Sequence, residues 1–202
     1  AAGRDIFFNA SSDISEPGFL ELDPSNPASF IFNAGRNITV ESGIWLGTGD
    51  FIASAGTAEQ LPSEFPVAGS TGAVRNFGGP GISVRGIDRS GKIVLRSAHS
   101  IYAEYLSSGS NDAEGFIGLY ANGSVVLPYD ASSNGKFEVH NYEGAENLIS
   151  EFQLSNGSTI ELANITSFAG ISSGEVSWLA SLTVGDFALA TGGGDLYVEA
   201  EK

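Results

Sequence analysis

The 202-residue chain contains no cysteine and no methionine, and only three of its residues are lysine. The absence of cysteine excludes disulfide bonds, thiolate metal ligands and cysteine nucleophiles. No apolar run approaches the roughly 20 residues of a membrane-spanning helix, so membrane insertion is not expected. Nine basic against twenty-four acidic residues give a formal net charge of −15. Because this charge repels phosphates, nucleic acid is not an expected partner.

The two histidines, His99 and His140, belong to no motif of known chemistry. The sequence holds no H-E-x-x-H zinc pattern. A histidine-based hydrolase needs partners that the fold holds in place, and the residues around either histidine do not indicate them. We therefore predict that the protein is not an enzyme and that it needs no cofactor.

Short runs rich in Ile, Val, Phe and Tyr, bounded by Gly, Asn, Ser or Asp, recur along the chain and are typical of β-strands. In the last run, Leu196 and Val198 fall on one face of the strand, while Tyr197 and Glu199 fall on the other. Such alternation predicts one buried and one solvent-facing side. The predicted strands are Asp5–Phe8, Ser29–Phe32, Asn37–Glu41, Asp50–Ser54, Ile82–Arg85, Lys92–Arg96, Ser100–Tyr105, Gly115–Tyr120, Ser124–Leu127, Lys136–His140, Ser150–Leu154, Ser158–Ala163, Asp186–Ala190 and Asp195–Glu199.

Helical periodicity is almost absent. The candidates are Gly174–Leu182, where Ser172 and Glu175 form an S-x-x-E capping box, and the weaker Ala145–Phe152. The longest aperiodic stretch, at about 55–80, is rich in proline and glycine. We therefore predict a single all-β domain over residues 1–202, with a long loop excursion at about 55–80.

A recurring phrase joins a small residue, Gly and a polar residue to a short β-branched or aromatic strand. It reads AGRDIFF, AGRNITV, SGKIVL, NGSVVL, NGSTIEL, VGDFALA and GGDLYVEA. The interval from Gly3 to Gly35 equals the interval from Gly91 to Gly123. Self-similarity at such spacing indicates stacked units that cannot bury an apolar face alone, and it predicts a parallel β-solenoid (β-helix). Short strands separated by turns fit an antiparallel β-sandwich or jelly roll as well, which is the alternative fold.

The segments AGRDIFFNASSDI, AGRNITVESGIWL and SGKIVLRSAHSI resemble the rungs of filamentous haemagglutinin-type passengers, the surface adhesins exported by two-partner secretion. This resemblance implies a β-solenoid at the cell surface or in the extracellular space. These segments are also similar to polysaccharide-lyase β-solenoids, which combine acidic residues with a basic residue in a cleft. Arg85, Asp88 and Arg89 form one such local cluster, although pairing of Arg with Asp in a turn explains it more simply.

Calcium is the one ion that the sequence indicates. Asn111, Asp112 and Glu114 place oxygen donors in one loop, which makes them candidate calcium ligands, although a solvated acidic loop accounts for them more simply. Five N-x-S/T sequons make their asparagines candidate glycosylation sites if the source cell glycosylates surface proteins. These asparagines are Asn9, Asn37, Asn122, Asn156 and Asn164.

The interpretation that these observations favour is a non-enzymatic extracellular structural or adhesive surface protein. Both terminal strands, Asp5–Phe8 and Asp195–Glu199, lack an obvious polar cap, and uncapped ends invite pairing with another chain. We therefore expect self-association end to end, or contact with neighbouring subunits of a longer rod. Aromatic residues such as Trp45 and Trp178 make a carbohydrate or a host-surface protein a further expected partner.

Two alternatives belong to other classes. One is a β-sandwich subunit of a filament or capsid that donates a terminal strand to its neighbour. The other is a polysaccharide-active β-helix enzyme.

Overall fold

The computed structural model describes residues 5–10, 18–22, 28–57, 81–109, 114–128, 131–165, 176–178, 189–191 and 195–200. These residues are all-β, with seventeen strands and one short 3₁₀ turn. The strands are β1 (Ile6–Phe8), β2 (Phe19–Glu21), β3 (Phe30–Ala34), β4 (Ile38–Trp45), β5 (Phe51–Ala55), β6 (Ile82–Ser90), β7 (Lys92–Ser97), β8 (Ile101–Ser108), β9 (Phe116–Ala121), β10 (Val125–Leu127), β11 (Ala131–Ser133), β12 (Lys136–Asn141), β13 (Glu151–Gln153), β14 (Thr159–Glu161), β15 (Val176–Trp178), β16 (Leu189–Thr191) and β17 (Leu196–Ala200), and the 3₁₀ turn is Ala145–Asn147. Most of the predicted loop excursion at about 55–80 lies outside the described residues.

Parallel pairing builds two large sheets. The first sheet has nine strands and runs β1-β4-β6-β8-β10-β15, with β2 beside β4, and with β11 pairing both β8 and β16. The second sheet has six strands in the order β3-β5-β7-β9-β12-β17. From β3 to β10 the chain alternates between the sheets. Each strand from β3 to β9 pairs with the next strand of its own sheet.

Every strand pair that the described residues form in these two sheets is parallel. The antiparallel β-sandwich or jelly roll is therefore wrong for these sheets. Short strands with frequent turns look the same in both architectures. What separates them is the partner of each strand, and strand periodicity does not encode it.

The pairing register shows how the chain makes each circuit through both sheets. The shortest circuits join Ile82 to its partner Ile101, and Phe116 to its partner Lys136. Where the connection between β5 and β6 is long, the circuit lengthens, as between Phe51 and its partner Ile93. The basic unit is therefore a short circuit whose length varies with inserted segments.

The repeated glycine interval is a circuit in only one of its two occurrences. Ile6 pairs with Ile38, at the same offset as Gly3 and Gly35, as the spacing of the first two phrases predicts. Gly91 and Gly123, however, precede strands of different sheets, β7 and β10. Their separation therefore does not measure a circuit, because the phrase marks any strand start at a corner rather than one position of a repeat.

One hydrophobic core fills the space between the two sheets. Its side chains form columns, because parallel in-register pairing places equivalent residues of successive strands beside one another. The fully buried columns are Phe51–Ile93–Ile117–Phe137 in the second sheet and Ile38–Ile82–Ile101–Val125 in the first. Each such side chain contributes about 1.5–3 kcal/mol through burial against its neighbours.

Residues 142–165 leave the second sheet after β12 and fold back over its outward face. This segment, the insertion, contains the 3₁₀ turn and the antiparallel hairpin β13–β14. Its Leu154 and Leu162 pack with Ile52, Val94 and Tyr120 of β5, β7 and β9 in a second, smaller core. No described residue of β12 belongs to that core. The insertion therefore covers the outward faces of β5, β7 and β9 but not that of β12.

The two ends of the second sheet differ. At β3, phenylalanine rings with centroids 5.5 to 6.0 Å apart close the core. These rings belong to Phe8, Phe30, Phe32 and Phe51. At β17, the inward side chains Leu196 and Val198 are 51% and 39% exposed. The core is therefore closed by aromatic rings at one end and leaves aliphatic side chains accessible at the other.

Both helix candidates are wrong where the structure describes them. Val176–Trp178 is strand β15, paired in parallel with β10, and Ala145–Asn147 is a single 3₁₀ turn. Pairing with distant strands outweighs the local capping signal in the first case. The described residues also contain no helix with the length and apolar character to cross a membrane.

Candidate functional site

Outward side chains of the second sheet form aligned columns on the face that the insertion partly covers. The columns are Lys92–Phe116–Lys136 near the strand starts, Val94–Gly118–Glu138–Tyr197 in the middle and Arg96–Tyr120–His140–Glu199 near the strand ends. Adjacent strands in a sheet lie about 4.8 Å apart, so groups far apart in the sequence become direct neighbours. Lysine, arginine, histidine, glutamate and tyrosine side chains thereby gather on one surface.

A groove of about 470 Å³ opens between the strand starts and the hairpin of the insertion. We name it the lysine groove, and its defining residues are Lys92, Glu114, Phe116, Lys136, Phe152 and Ser155. Two of the three lysines in the chain line it. In a protein with a net charge of −15, the groove thus gathers two of the few basic side chains, together with the acidic Glu114.

Neighbouring groups hold both lysines at the groove. The Lys92 ammonium donates a hydrogen bond of 2.6 Å to a backbone carbonyl of the hairpin and lies 5.3 Å from the centroid of the Phe152 ring. The Lys136 ammonium pairs with the Glu138 carboxylate and lies 5.9 Å from the centroid of the Phe116 ring. Because an ammonium group has three N–H donors, each lysine retains donors beyond these contacts.

The aromatic rings of the groove belong to different segments and meet there. The centroids of Phe116 and Phe152 are 5.4 Å apart, with the ring planes tilted by 44°. Gly118 makes this packing possible, because a Cβ at that position would come within 2.8 Å of the rings of both Phe116 and Tyr120. The two rings of β9 thus close over the strand, and Phe152 extends the apolar surface into the groove.

Asp50 fixes the two walls of the groove relative to each other. It is fully buried, and its carboxylate accepts hydrogen bonds from the Lys92 backbone N–H at 2.9 Å and from the Ser155 backbone N–H at 2.7 Å. It also accepts the Ser155 hydroxyl at 2.5 Å. One buried carboxylate therefore joins the start of β7 to the turn of the hairpin, and so positions Lys92 opposite the insertion.

We expect Asp50→Ala to lower the free energy of unfolding by about 3 kcal/mol, because backbone donors of Lys92 and Ser155 lose a charged acceptor. Hydrogen exchange should show a faster-exchanging Ser155 amide, and chemical denaturation should give the free energy. Asp195→Ala, at an exposed aspartate before β17, is the control and should leave both unchanged. Equal losses in the two variants would contradict the assigned role of Asp50.

Arg96 connects the insertion to the sheet at the other end of the covered face. Its side chain is 1% exposed, and its Nε donates to the carbonyl of Glu146 at 3.0 Å. One terminal nitrogen donates to the carbonyl of Ala163 at 2.9 Å and to the hydroxyl of Ser54 at 3.2 Å. A single guanidinium therefore holds the beginning and the end of the insertion against β5 and β7.

The carboxyl group of Glu146 is buried with Arg96. Burial raises the pKa of Glu146, and the positive charge of Arg96 partly opposes that rise. Burial also lowers the pKa of Arg96 to about 10, so the guanidinium stays protonated at neutral pH. No hydrogen bond from the described residues reaches the Glu146 carboxyl oxygens, so the nearby positive charge of Arg96 is what opposes the cost of burying this group.

A second group of titratable side chains, the histidine cluster, surrounds His140 on β12. The imidazole stacks on the Tyr120 ring, with centroids 5.2 Å apart and planes within 6°, and lies 5.0 Å from the Tyr197 ring. Its Nδ1 is 3.7 Å from the Glu199 carboxylate and its Nε2 is 4.0 Å from the Glu138 carboxylate. The imidazole thus lies between two carboxylates and two phenols.

Both carboxylates of the histidine cluster accept a hydrogen bond from a tyrosine hydroxyl. The Tyr120 hydroxyl donates to the Glu138 carboxylate, and the Tyr197 hydroxyl donates to Glu199 at 2.5 Å. Burial, followed by this bond to Glu138, raises the pKa of Tyr120. A cavity of about 310 Å³ adjoins the cluster and is lined by Tyr142 and Glu199 among others.

Of the three predicted calcium ligands, the structure describes only Glu114. Asn111 and Asp112 lie outside the described residues, whereas Glu114 is exposed at the lysine groove. Over the described part of the chain, no three His, Asp or Glu side chains gather as metal ligands. Calcium binding at this loop stays a prediction.

The sequence cluster of Arg85, Asp88 and Arg89 lies on β6, in the first sheet, away from both sites described above. Arg85 is exposed and Asp88 is partly buried, while the side chain of Arg89 lies outside the described residues. The arrangement of acids with a basic residue that the sequence suggested for β6 occurs instead around His140, on the second sheet.

The five sequon asparagines differ in accessibility. Asn156 and Asn164 are exposed, and the Asn156 side-chain oxygen accepts the hydroxyl of Ser158 at 2.6 Å. The remaining three are partly or fully buried, namely Asn9, Asn37 and Asn122. Within the folded chain, Asn156 and Asn164 are therefore the positions where a glycan has room.

Sequence reasoning missed the lysine groove, because its residues are scattered over β7, β9, β12 and the insertion. The one local signal is that Lys92, Phe116 and Lys136 each stand at or beside the start of a predicted strand. Only the pairing register makes them neighbours. In comparisons with known proteins, no family model, curated protein or solved structure matches the chain.

Proposed function

We propose that the chain is a parallel β-solenoid that acts as a non-enzymatic extracellular structural or adhesive surface protein. The observation that carries the proposal is the stack of in-register parallel strands around one shared core, because it holds outward side chains in fixed columns. Such a body is suited to presenting a surface rather than to moving around a substrate. The resemblance to haemagglutinin-type passengers supports the same class and stays a prediction.

End-to-end association belongs to this proposal. Val139 is fully buried in the second sheet, whereas its register partner Val198 on the last strand is 39% exposed. A strand added beside β17 would cover Val198 in the way that β17 covers β12, and would satisfy its outer backbone groups. A second copy of this chain supplies such a strand, and the exposed aliphatic side chains favour covering it.

The test is the concentration dependence of the molecular mass, measured by light scattering and sedimentation. We expect the unmodified chain to form species larger than a monomer at high concentration and Val198→Glu to abolish them, because the charge would be desolvated in the contact. Val126→Glu, the same change at a partly buried outward position of β10, is the control and should associate as the unmodified chain does. A monomer at all concentrations would contradict the association.

Electron microscopy tests the solenoid itself. The six strands of the second sheet span five spacings, so this part of one copy should be about 24 Å long along the stacking axis. Associated species should be rods that lengthen along that axis without becoming wider. Compact rosettes or sheets would contradict end-to-end stacking.

A polysaccharide-active enzyme is the second candidate, and the histidine cluster is the observation that favours it. In this cluster the His140 imidazole lies between the Glu138 and Glu199 carboxylates, with a cavity beside it. Imidazole and carboxyl groups are side chains that can transfer protons to and from a substrate. The discriminating measurement is turnover: new reducing ends from an acidic polysaccharide, lost in His140→Ala, would replace the non-enzymatic proposal. The donor-strand sandwich loses its basis, because the large sheets are parallel.

A further inference from the structure

We propose that the lysine groove binds a carboxylated sugar ring, with Lys92 and Lys136 as the residues that recognise the acid and the ring hydroxyls. This inference deepens the proposed adhesive role by naming a ligand class, and it rests on that role only for its biological use. The groove itself is defined by contacts within one chain.

The distribution of charge is the first argument. Lys92 and Lys136 flank Phe116 in the register of β7, β9 and β12, two strand spacings or about 9.6 Å apart. The hydrogen bond of Lys92 goes to the carbonyl of Gln153, a neutral acceptor, so that contact does not cancel the ammonium charge. A ligand carboxylate at Lys92 would therefore gain a charge-assisted hydrogen bond.

Lys136 has a different role at the other side of the groove. Its ammonium already pairs with the Glu138 carboxylate, so it offers N–H donors with much of its charge balanced. Glu114, also on the groove, offers acceptors. Donors and acceptors on this side suit the hydroxyl groups of a sugar, whereas Glu114 disfavours a ligand with several negative charges.

The aromatic surface is the second argument. Phe116 and Phe152 are partly exposed at the groove, and their tilted rings form an apolar wall between the two lysines. Sugar rings have C–H faces that pack on aromatic rings and hydroxyl edges that need hydrogen-bonding partners, and the groove supplies both. Its volume of about 470 Å³ lies within the range for small-ligand sites and holds one or two sugar rings.

Buried contacts preorganise the site. Asp50 fixes the Lys92 backbone and the hairpin turn, and Leu154 anchors the hairpin in the second core beside Phe152. Ligand binding therefore needs little ordering of the backbone, which lowers its entropic cost. The groove can bind in an isolated chain and does not depend on association through β17.

Three matched ligands test the proposal by NMR titration: methyl glucuronoside, its methyl ester, and methyl glucoside. We expect the acid to perturb amides of β7, β9 and the hairpin, and the ester and the neutral sugar to bind about tenfold more weakly, since each lacks the charged acceptor. A hyaluronan tetrasaccharide, which carries the same acid within a chain, distinguishes a polymer ligand from a free sugar by its tighter binding.

Variants locate the site. Lys92→Gln should weaken acid binding about tenfold and remove the preference over the ester. Phe152→Ala should weaken all three sugars alike by removing the apolar wall, and Arg85→Gln, which removes a positive charge from the first sheet, should change nothing. Circular dichroism of each variant separates lost binding from lost fold.

Each remaining outcome overturns the proposal. Equal affinity for acid and ester would remove the role of the lysine charge, and no perturbation at millimolar sugar would remove the site. Perturbations confined to the first sheet, or an equal loss in Arg85→Gln, would place binding elsewhere. None of these results affects rod formation, so failure of this inference and failure of the solenoid proposal are read from different measurements.

Discussion

Replacing Arg96 with alanine should lower the free energy of unfolding by about 3–5 kcal/mol, because it leaves the buried Glu146 carboxyl without its compensating charge. It also removes the hydrogen bonds that join the carbonyls of Glu146 and Ala163 to the sheet. The pKa of Glu146 should rise further, since the raising effect of burial would lose the opposing charge of Arg96. The insertion should detach from the sheet before the main core unfolds.

Peptide-level hydrogen-exchange mass spectrometry measures the detachment of the insertion directly. Peptides covering the insertion should exchange faster in Arg96→Ala, while β4, β6 and β8 keep their protection. Arg85→Ala, at an exposed arginine of the first sheet, is the control and should leave exchange and stability nearly unchanged. Uniformly faster exchange in all strands would contradict a local role for Arg96.

A double substitution distinguishes charge compensation from packing. Arg96→Met keeps an apolar chain of similar length but still leaves Glu146 alone, so it should be destabilising. Arg96→Met combined with Glu146→Leu should recover much of the loss, because the second change removes the buried carboxyl group that Arg96→Met leaves without a nearby positive charge. If the double variant is as unstable as Arg96→Met, the hydrogen bonds to the carbonyls carry the effect and the charge pairing does not.

The strands are the part of the fold that the sequence predicts best. Each of the fourteen predicted strands overlaps an observed one, because alternation of side chains is a local property of a strand with one buried face. The three observed strands without a prediction, β2, β11 and β15, are each three residues long. Length alone does not explain these three, because β1, β10, β13, β14 and β16 are equally short and overlap predicted strands. For β15 the competing signal is the capping box, which favours a helix at that position.

The parallel arrangement is predicted from a spacing that is only partly a repeat. The phrase at Gly3 and Gly35 correctly matches the offset between Ile6 and Ile38. The shorter circuits, such as the one from Ile82 to Ile101, leave no constant interval in the sequence, because inserted segments change the spacing elsewhere. Corner glycines recur wherever the chain turns between strands. Their positions therefore indicate the corners but not the length of a circuit or the number of circuits.

The candidate site could not be predicted, because it depends on contacts that are far apart in the chain. Asp50 and Ser155 are 105 residues apart, and Arg96 and Ala163 are 67 apart. Local sequence records that Lys92 begins a strand, yet nothing local indicates which segment will cover it. The acidic segment at 111–114 is conspicuous for its composition, whereas the groove is defined by register.

Phe137→Ala should be as costly as the loss of Arg96, at about 3–5 kcal/mol, because it opens a cavity in the fully buried core column. Leu196, its register partner on β17, is 51% exposed and provides a matched position in the same column. Leu196→Ala should cost only about 1 kcal/mol in dilute solution, since little burial is lost. If Phe137→Ala fails to fold, Phe137→Leu provides a milder change of the same kind.

The comparison of these two positions also measures end-to-end association. A second copy stacked on β17 would bury Leu196, so the cost of Leu196→Ala should rise with protein concentration towards the roughly 2–5 kcal/mol of a buried leucine. The cost of Phe137→Ala should not change, because its environment is complete within one chain. A cost for Leu196→Ala that stays constant across the range where the mass increases would mean that association uses another surface, and the exposed end of the core would then have no partner in the assembly.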